Sequence, residues 1–210
     1  MYTLYFAPGA ASFAVHWVLI ELGVPHQLKK VDLEAGEHRK PEYLKLNPNG
    51  FVPTLVVDGT PLFESAALLL LLAERHPQAG LAPPVGNPQR GAYLTWMLHL
   101  ANTLQPANQD WFHPDRVAGA EAVEAVKAGA HARIVAGWDR IEAQIRTGGP
   151  YLVGDRVWAV DFFATMLMRW SRNMPKPATE WPAIANYVAR MKARPSFKTL
   201  YAREGLTEWA

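Results

Sequence analysis

The sequence predicts a mixed α/β unit followed by an all-helical unit, and three observations support this prediction. The first 76 residues alternate between strand-like and helical patterns in the order β-α-β-α-β-β-α. Residues 77–88 contain four prolines and two glycines without periodicity, which is typical of a linker. Beyond them helical spacing recurs and no segment alternates like a strand. We therefore expect an N-terminal domain over residues 1–77, a linker over 78–88 and an all-helical domain over 89–210.

The N-terminal elements follow from short patterns bounded by turn residues. Residues 2–6 alternate as in a strand, which Pro8-Gly9 ends, and residues 12–22 have helical spacing. Asp58-Gly59 between two short apolar runs predicts an antiparallel hairpin, whereas the first β-α-β should be parallel by the crossover rule. The predicted strands and helices of this half are residues 2–6, 12–22, 27–33, 41–46, 54–58, 61–63 and 65–76.

The C-terminal half has helical apolar spacing throughout, interrupted by a sharp turn at Gly148-Gly149-Pro150. It contains no internal repeat and no low-complexity tract. The predicted helices are residues 89–110, 118–146, 161–172, 181–193 and 196–203.

The composition restricts the partners of this chain. Half of the 210 residues are hydrophobic, 19% are charged and the net charge is +2, so a packed core is expected and a basic stripe for nucleic acid is not. The longest apolar run, residues 66–73, is far shorter than the ~20 residues of a membrane span. The N-terminus begins with a strand-like pattern and not with a signal peptide. We expect a cytoplasmic protein with no nucleic-acid or membrane partner.

Cysteine and histidine usage excludes further kinds of site. The chain has no cysteine, which removes disulfides, thiolate metal ligands and a redox thiol from consideration. Its seven histidines are dispersed without metal-ligand spacing. We therefore expect no metal site.

Residues 47–65 are the most informative stretch. Val52-Pro53 follows a turn and starts a short strand, where a missing N–H is tolerated. With a cis bond at Pro53, the turn is expected to present the N–H and C=O of Val52 as a peptide-like edge. Glu64 and Ser65 open a long apolar helix and offer a carboxylate, a hydroxyl and free N–H groups. Together these groups suit a small molecule with a peptide backbone, an ammonium and a carboxylate, although a hairpin and an ordinary N-cap explain each piece alone.

Other motifs accompany this stretch. They are Tyr2-Thr3-Leu4-Tyr5-Phe6 with Pro8-Gly9 and Ser12, residues 36–44 with Asn47-Pro48-Asn49-Gly50, residues 151–155 with Asp161, and residues 191–195. In this order and spacing, and with Val52-Pro53 and Glu64-Ser65, they resemble the cytosolic glutathione transferase family, in particular bacterial members of the serine type (beta-, theta- or phi-like). The resemblance covers nearly the whole chain. It implies a thioredoxin-like N-terminal domain, an all-helical C-terminal domain and glutathione as a co-substrate with no other cofactor.

The resemblance also implies roles for single residues. Ser12 would hydrogen-bond the glutathione sulfur as the catalytic residue, and His38 would reach the glycyl carboxylate. Val52 would pair main chain to main chain with the cysteinyl unit, while Glu64 and the residue after it would hold the γ-glutamyl end. The implied glutathione-binding residues are Tyr5, His38, Val52, Pro53, Glu64 and Ser65.

The chain departs from the family pattern at several points. Ala11 stands where beta-class members carry a cysteine, and Phe51 stands where theta- and phi-like members often have Gln or Lys. Trp158 replaces the Ser or Thr that usually caps the helix containing Asp161. The beta-class histidine of the fourth helix has no clear counterpart; that helix offers His99, Asn102 and Gln105.

Thiol activation requires stabilisation of the charged sulfur. A free thiol has a pKa of about 8.5 and is mostly protonated at neutral pH. A fall of two pKa units needs roughly 2.7 kcal/mol, which is about what one charge-assisted hydrogen bond and a helix N-terminus supply. Ser12 is the predicted donor, Tyr5 at the end of the first strand is the alternative hydroxyl, and a plain N-cap is the simpler interpretation of Ser12.

Three functions are considered on this basis. The first is an enzyme that joins glutathione to a hydrophobic electrophile or uses it in a related reaction; the second is a non-catalytic binding or scaffold protein. The third, a thiol–disulfide oxidoreductase, is opposed by the missing cysteine. The electrophile, which the sequence does not identify, is expected to contact Asn102, Trp111 and Trp170 between the domains. A homodimer is also implied, with Phe51 as an apolar anchor.

Overall fold

The structure, a computed structural model, describes residues 1–209 and contains two compact units. The first unit comprises Met1–Ala82 together with the C-terminal segment from Lys192, and the second comprises Pro83–Met191. The domain boundaries read from the sequence stay a prediction, but the sequence did not indicate that the C-terminal segment groups with the first unit. The helices are α1 (Phe13–Glu21), α2 (Pro41–Leu44), α3 (Ser65–Arg75), α4 (Arg90–His99), α5 (Gln105–Phe112), α6 (Val123–Gly148), α7 (Ala159–Trp170), α8 (Pro182–Lys192) and α9 (Pro195–Glu204).

The first unit is built on a four-stranded mixed sheet with strand order β2-β1-β3-β4. Strand β1 pairs parallel with β2 and antiparallel with β3, and β3 and β4 form the antiparallel hairpin. Asp58 and Gly59 at its turn both have positive φ, 51° and 90°, as two-residue hairpin turns require. The predicted β-α-β-α-β-β-α order is confirmed. The strands are β1 (Tyr2–Phe6), β2 (His26–Lys30), β3 (Thr54–Val57) and β4 (Thr60–Phe63).

Alternate residues of β1 face different helices, because successive side chains of a strand point to opposite sides of the sheet. Phe6 packs against His16 of α1, with ring centroids 5.6 Å apart. Tyr5 packs against Tyr43 of α2, with ring centroids 5.9 Å apart. Helix α1 therefore covers one face of the sheet and α2 the other.

Helix α9 is attached to α1 by aromatic packing and a hydrogen bond. Phe197 lies 5.1 Å from Trp17 and 4.3 Å from Tyr201, measured between ring centroids. The Trp17 indole N–H donates to the hydroxyl of Ser196 at 2.8 Å. Since a large aromatic side chain buries 150–250 Å², this cluster explains why the last helix belongs to the first unit.

The second unit begins with one long helical segment, α4 to α5, which widens into a π turn at Leu100–Leu104. Pro106 provides a physical reason, because it has no N–H to donate and its ring conflicts with the carbonyl of Asn102, four residues earlier. The sequence predicts an uninterrupted helix over residues 89–110, and the structure adds this irregularity within it.

A buried carboxylate organises the start of α7. Asp161 accepts hydrogen bonds from the main-chain N–H groups of Trp158 and Leu152, at 2.7 and 3.0 Å, and from the Tyr187 hydroxyl at 2.9 Å. In a full capping box the N-cap side chain would also accept an N–H from the helix, but the Trp158 indole can only donate. Its N–H donates to Val153 O at 3.0 Å. Burial, together with Asp161, raises the pKa of Tyr187 well above its usual value, which keeps the phenol a donor.

Within residues 1–209, no helix is both long enough and apolar enough to cross a bilayer.

Two glycines of α6 should respond in opposite directions to the same substitution. A Cβ at exposed Gly129 meets no atom within 4 Å, so Gly129→Ala should raise the free energy of unfolding by about 0.5–1 kcal/mol. A Cβ at Gly137 would lie 2.5 Å from Cδ2 of fully buried Leu104, so Gly137→Ala should lower it by about 1–3 kcal/mol.

Urea denaturation of both variants measures the two effects, each variant serving as the control for the other. Equal changes of the same sign would show that helix propensity alone governs both positions, and that α6 does not approach Leu104 closely.

Candidate functional site

The loop between β1 and α1 is fixed by the hydroxyl of Ser12. This oxygen accepts the N–H of Ala7 at 3.2 Å and donates its proton to Ala7 O at 3.1 Å. Ser12 is 0% exposed, and its side chain does not cap α1. The hydroxyl therefore closes the six-residue loop and is not presented to a ligand in this geometry.

Two further hydrogen bonds tie the same loop to other helices. The hydroxyl of Ser65, the first residue of α3, donates to Ala11 O at 3.0 Å. The N–H of Gly9 donates to a carboxylate oxygen of Glu204, the last residue of α9, at 2.7 Å. No hydrogen bond between described residues uses the N–H of half-exposed Ala11, which lies just before α1. An unpaired N–H at the start of a helix attracts negative charge.

The turn before β3 presents main-chain groups of Val52. The Val52–Pro53 bond is cis, as the sequence analysis considered. No hydrogen bond between residues 1 and 209 involves the N–H or C=O of Val52, whose side chain packs with Ala7 and Tyr43. The Tyr43 hydroxyl holds the turn by donating to Phe51 O at 2.7 Å. Val52 thus offers a donor and an acceptor beside the loop.

Glu64 has the most unusual backbone near this loop. Its φ of 73° and ψ of 109° lie in a region that glutamate rarely adopts and that costs on the order of 1–3 kcal/mol. Its exposed carboxylate does not cap α3, and it forms no hydrogen bond or ion pair with any described residue. Backbone strain of this kind is concentrated at functional sites in proteins.

The other predicted glutathione-binding residues lie around the same turn and strand. His38 is half-buried in a short helical turn, Glu37–Arg39, and its carbonyl oxygen lies so close to Gly50 that a Cβ there would be 2.9 Å away. Tyr5 is half-buried on the α2 face of the sheet, where its hydroxyl lies 3.3 Å from Nζ of Lys29. Tyr5 therefore faces away from α1, which begins at the loop.

The residues predicted to contact an electrophile belong to the helical unit, and their surroundings differ. Asn102 is exposed in the π turn. Trp111 is half-buried, with its ring centroid 5.5 Å from that of His131. Trp170 is 7% exposed and packs edge-on against Phe112, so it belongs to the core of this unit. Their role stays a prediction.

The sequence analysis missed Glu204 and its partner His16. His16 Nδ1 lies 2.7 Å from the Glu204 carboxylate, and neither side chain has exposed surface. Glu204 is 195 residues from Gly9 in the sequence, and a single Glu near the end of a helix carries no pattern that predicts such a contact. Within residues 1–209, no group of three or more acidic or histidine side chains is placed to hold a metal ion.

Comparison with known proteins identifies the family. Residues 10–75 match the glutathione S-transferase N-terminal domain. The chain is 29% identical to glutathione S-transferase GST-4.5 of Xanthomonas campestris, over 97% of this chain and 98% of that protein. A glutathione transferase homologue from Sulfitobacter, crystallised with bound glutathione, is 31% identical with a TM-score of 0.90, and 99% of each chain is covered. A Methylococcus capsulatus glutathione transferase is 31% identical with a TM-score of 0.87, over 99% of this chain and all of that chain. The fold is thioredoxin-like, as predicted, and the chain belongs to the glutathione transferase family.

Proposed function

We propose that this protein binds glutathione at the loop, turn and helix start described above, and activates its thiol for attack on a hydrophobic electrophile. The observation that carries the proposal is Glu64, whose unpaired carboxylate is held at a strained backbone position directly after Phe63, the residue that pairs with Thr54 just beyond Val52-Pro53. The proposed division assigns glutathione to residues 1–77 and the electrophile to residues 89–210. We place the reaction in the cytoplasm, because it consumes the reduced thiol that this compartment maintains.

Each part of glutathione has a complementary group on the chain. The γ-glutamyl ammonium pairs with Glu64, and its carboxylate binds the first N–H groups of α3, beginning at Ser65. The N–H and C=O of the cysteinyl unit pair with the C=O and N–H of Val52, as in the addition of a strand. The glycyl carboxylate reaches His38. Pro53 and Tyr5 shape the turn and the strand end on which these groups lie.

The start of α1 stabilises the thiolate in this proposal. The sequence assigned that role to the Ser12 hydroxyl, but its proton is donated to Ala7 O and the residue is fully buried. We therefore assign the sulfur to the unpaired N–H of Ala11 at the positive end of α1, and assign Ser12 to holding the loop. The proton leaves to solvent, the thiolate attacks the electrophilic carbon, and the leaving group departs with its electron pair.

A homodimer forms part of the proposal. Phe51 is 48% exposed beside the Val52 turn, and the guanidinium carbon of Arg39 lies 5.1 Å from its ring centroid. A large aromatic side chain in an exposed turn is suited to insertion into a second copy of the chain.

Removal of the Glu64 carboxylate should weaken glutathione binding without unfolding the protein. Glu64→Ala should cost about 1.5–3 kcal/mol of binding free energy, as for a hydrogen bond to a charged group. N-acetylcysteinylglycine lacks the γ-glutamyl end, so its affinity should be equal for wild type and variant. Titration calorimetry with both ligands measures the difference.

Glu64→Gly is the matched control for the backbone. It removes the same carboxylate, but glycine adopts a φ of 73° readily, so its free energy of unfolding should exceed that of Glu64→Ala by about 1 kcal/mol. Unchanged glutathione affinity in both variants would exclude Glu64 from the binding site.

Ser12→Ala distinguishes loop positioning from direct activation. The variant leaves the N–H of Ala7 without its buried partner, whereas Ala7 O keeps the N–H of Ala10, so the free energy of unfolding should fall by about 1–3 kcal/mol. Its turnover of an activated aryl halide should fall by the same factor at every pH, because the N–H of Ala11 stays at the start of α1 and keeps the thiol pKa low, while the loosened loop positions the thiolate less well. The pH–rate profiles of wild type and variant provide the measurement.

The alternatives predict different profiles for the same experiment. A roughly 10- to 150-fold loss at neutral pH that shrinks as the pH rises would identify the Ser12 hydroxyl as the activator. If Tyr5→Phe shows this pH-dependent loss of turnover and Ser12→Ala is fully active, the Tyr5 hydroxyl is the activator instead.

Phe51→Ala should shift the protein toward monomers, whereas Phe63→Ala should not. Both phenylalanines are exposed in the first unit, by 48% and 37%, so Phe63 controls for loss of apolar surface. Sedimentation at micromolar concentration gives the mass. A wild type that sediments near 23.4 kDa would contradict the dimer, and equal effects of both substitutions would contradict the anchor.

A further inference from the structure

We propose that Glu204 is a positioning residue for the thiol reaction, acting from the last helix through the N–H of Gly9. This inference rests on the proposed function for its catalytic consequence, but the contact itself is independent of it. The Glu204 carboxylate binds Gly9 and His16 and not Ala11, the residue of the loop that is proposed to bind the sulfur. Its effect on the reaction would therefore be transmitted by the loop backbone.

The contact is short and partly shielded from water. The Glu204 carboxylate has no exposed surface and lies 2.7 Å from Gly9 N and 2.7 Å from His16 Nδ1, whereas Gly9 is half-buried. A hydrogen bond from an N–H to a carboxylate is stronger than one to a neutral oxygen, and burial of the carboxylate limits its replacement by water. Gly9 has a φ of 67°, in the left-handed region, which glycine adopts readily because it has no Cβ. The residue whose N–H binds Glu204 is therefore suited to its backbone conformation.

The surroundings of His16 indicate how the carboxylate is oriented. His16 Nε2 is buried without a hydrogen-bond partner among the described residues, which fits a neutral ring with its proton on Nδ1. The ring of His26 lies 5.8 Å away, and the Arg203 guanidinium contacts His26 Nε2 at 3.2 Å. His16 thus directs one carboxylate oxygen and leaves the other for Gly9.

Contacts from other elements add to the hydrogen bonds that the loop forms by itself. The N–H of Ala10 donates to Ala7 O at 3.2 Å, but the side chains between Ala7 and Ser12 are those of proline, glycine and alanine, which offer no hydrogen bond. Side-chain contacts come from Ser12 at the end of the loop, from Ser65 on α3 and from Glu204 on α9. Loss of one contact displaces the atoms beside the sulfur, and a displacement of about 1 Å can cost on the order of 100-fold in rate.

Three variants test the proposal, with an activated aryl halide and glutathione as probes. Glu204→Ala should lower kcat/KM by roughly 10- to 100-fold at every pH. Glu204→Gln should restore it to within about threefold, because the amide oxygen still accepts from Gly9. The NH₂ group can donate to His16 Nδ1 once the ring proton moves to Nε2, a change that affects stability and not the acceptor for Gly9. Ser196→Ala removes the Trp17–Ser196 bond at the other end of α9 and should leave kcat/KM unchanged.

The Ser196→Ala variant shows whether a loss of activity comes from weaker attachment of α9 to α1 or from loss of the contact between Glu204 and Gly9. All assays are run well below each melting temperature and expressed per folded molecule. Equal losses in Glu204→Ala and Ser196→Ala, or wild-type kinetics in folded Glu204→Ala, would overturn the proposal. If Glu204→Ala does not fold, Glu204→Asp serves in its place, because the shorter side chain withdraws the acceptor from Gly9; wild-type kinetics in that variant would overturn the proposal equally.

Amide hydrogen exchange at Gly9 tests the contact without reference to activity. Exchange should be faster in Glu204→Ala than in wild type and Glu204→Gln, and unchanged in Ser196→Ala. Equal Gly9 protection in all four proteins would overturn the proposal. A wild type that neither binds nor turns over glutathione, but shows this exchange pattern, would instead contradict the proposed function and retain the anchoring of Gly9 by Glu204.

Discussion

The geometry of the loop from Ala7 to Ser12 is the constraint on which the proposed site depends. Within the loop, Ser12 binds the N–H and C=O of Ala7 and the N–H of Ala10 donates to Ala7 O, while from α9 the carboxylate of Glu204 binds the N–H of Gly9. The Ser12 contacts are buried and the Glu204 contact is partly buried, which limits competition from water. The consequence is a loop whose surface toward a ligand is main chain and small side chains. Such a surface permits close approach of a sulfur atom.

In the proposed site, recognition would rely on main-chain groups and one carboxylate. Val52 offers an N–H and a C=O that no described residue uses, and Glu64 offers an unpaired charge at a strained φ of 73°. The strain lowers stability, as is common where function requires a particular backbone geometry. The mostly buried strands β1 and β3 and the aromatic contact between Trp17 and Phe197 provide stability elsewhere in the first unit.

Local patterns in the sequence predicted much of the first unit. Strand β1 was placed at residues 2–6, and the Asp58-Gly59 turn gave the antiparallel hairpin. Strand β2 ends at Lys30, where its pairing with β1 stops. The predicted end at residue 33 was too late, because residues 31–33 still alternate between apolar and polar side chains although they lie beyond this pairing. The helix predicted over residues 89–110 did not include the π turn at Leu100–Leu104, because the effect of Pro106 on the helix depends on the surrounding packing.

The partners of single polar groups could not be predicted in this way. A serine at a helix start has several possible acceptors, and only the folded loop shows that Ser12 binds Ala7. Glu204 and Gly9 are brought together by packing of α9 on α1, which no local pattern encodes. The residues that hold a site are therefore harder to predict than those that face a ligand, because the latter lie in compact motifs such as residues 47–65.

The most direct test of thiol activation is a pH titration of the ultraviolet absorbance of glutathione bound to the wild-type protein. We expect the bound thiol to ionise with a pKa at least about one unit below the value of about 8.5 for a free thiol. A bound thiol that titrates with the pKa of free glutathione would show that the start of α1 does not stabilise the thiolate.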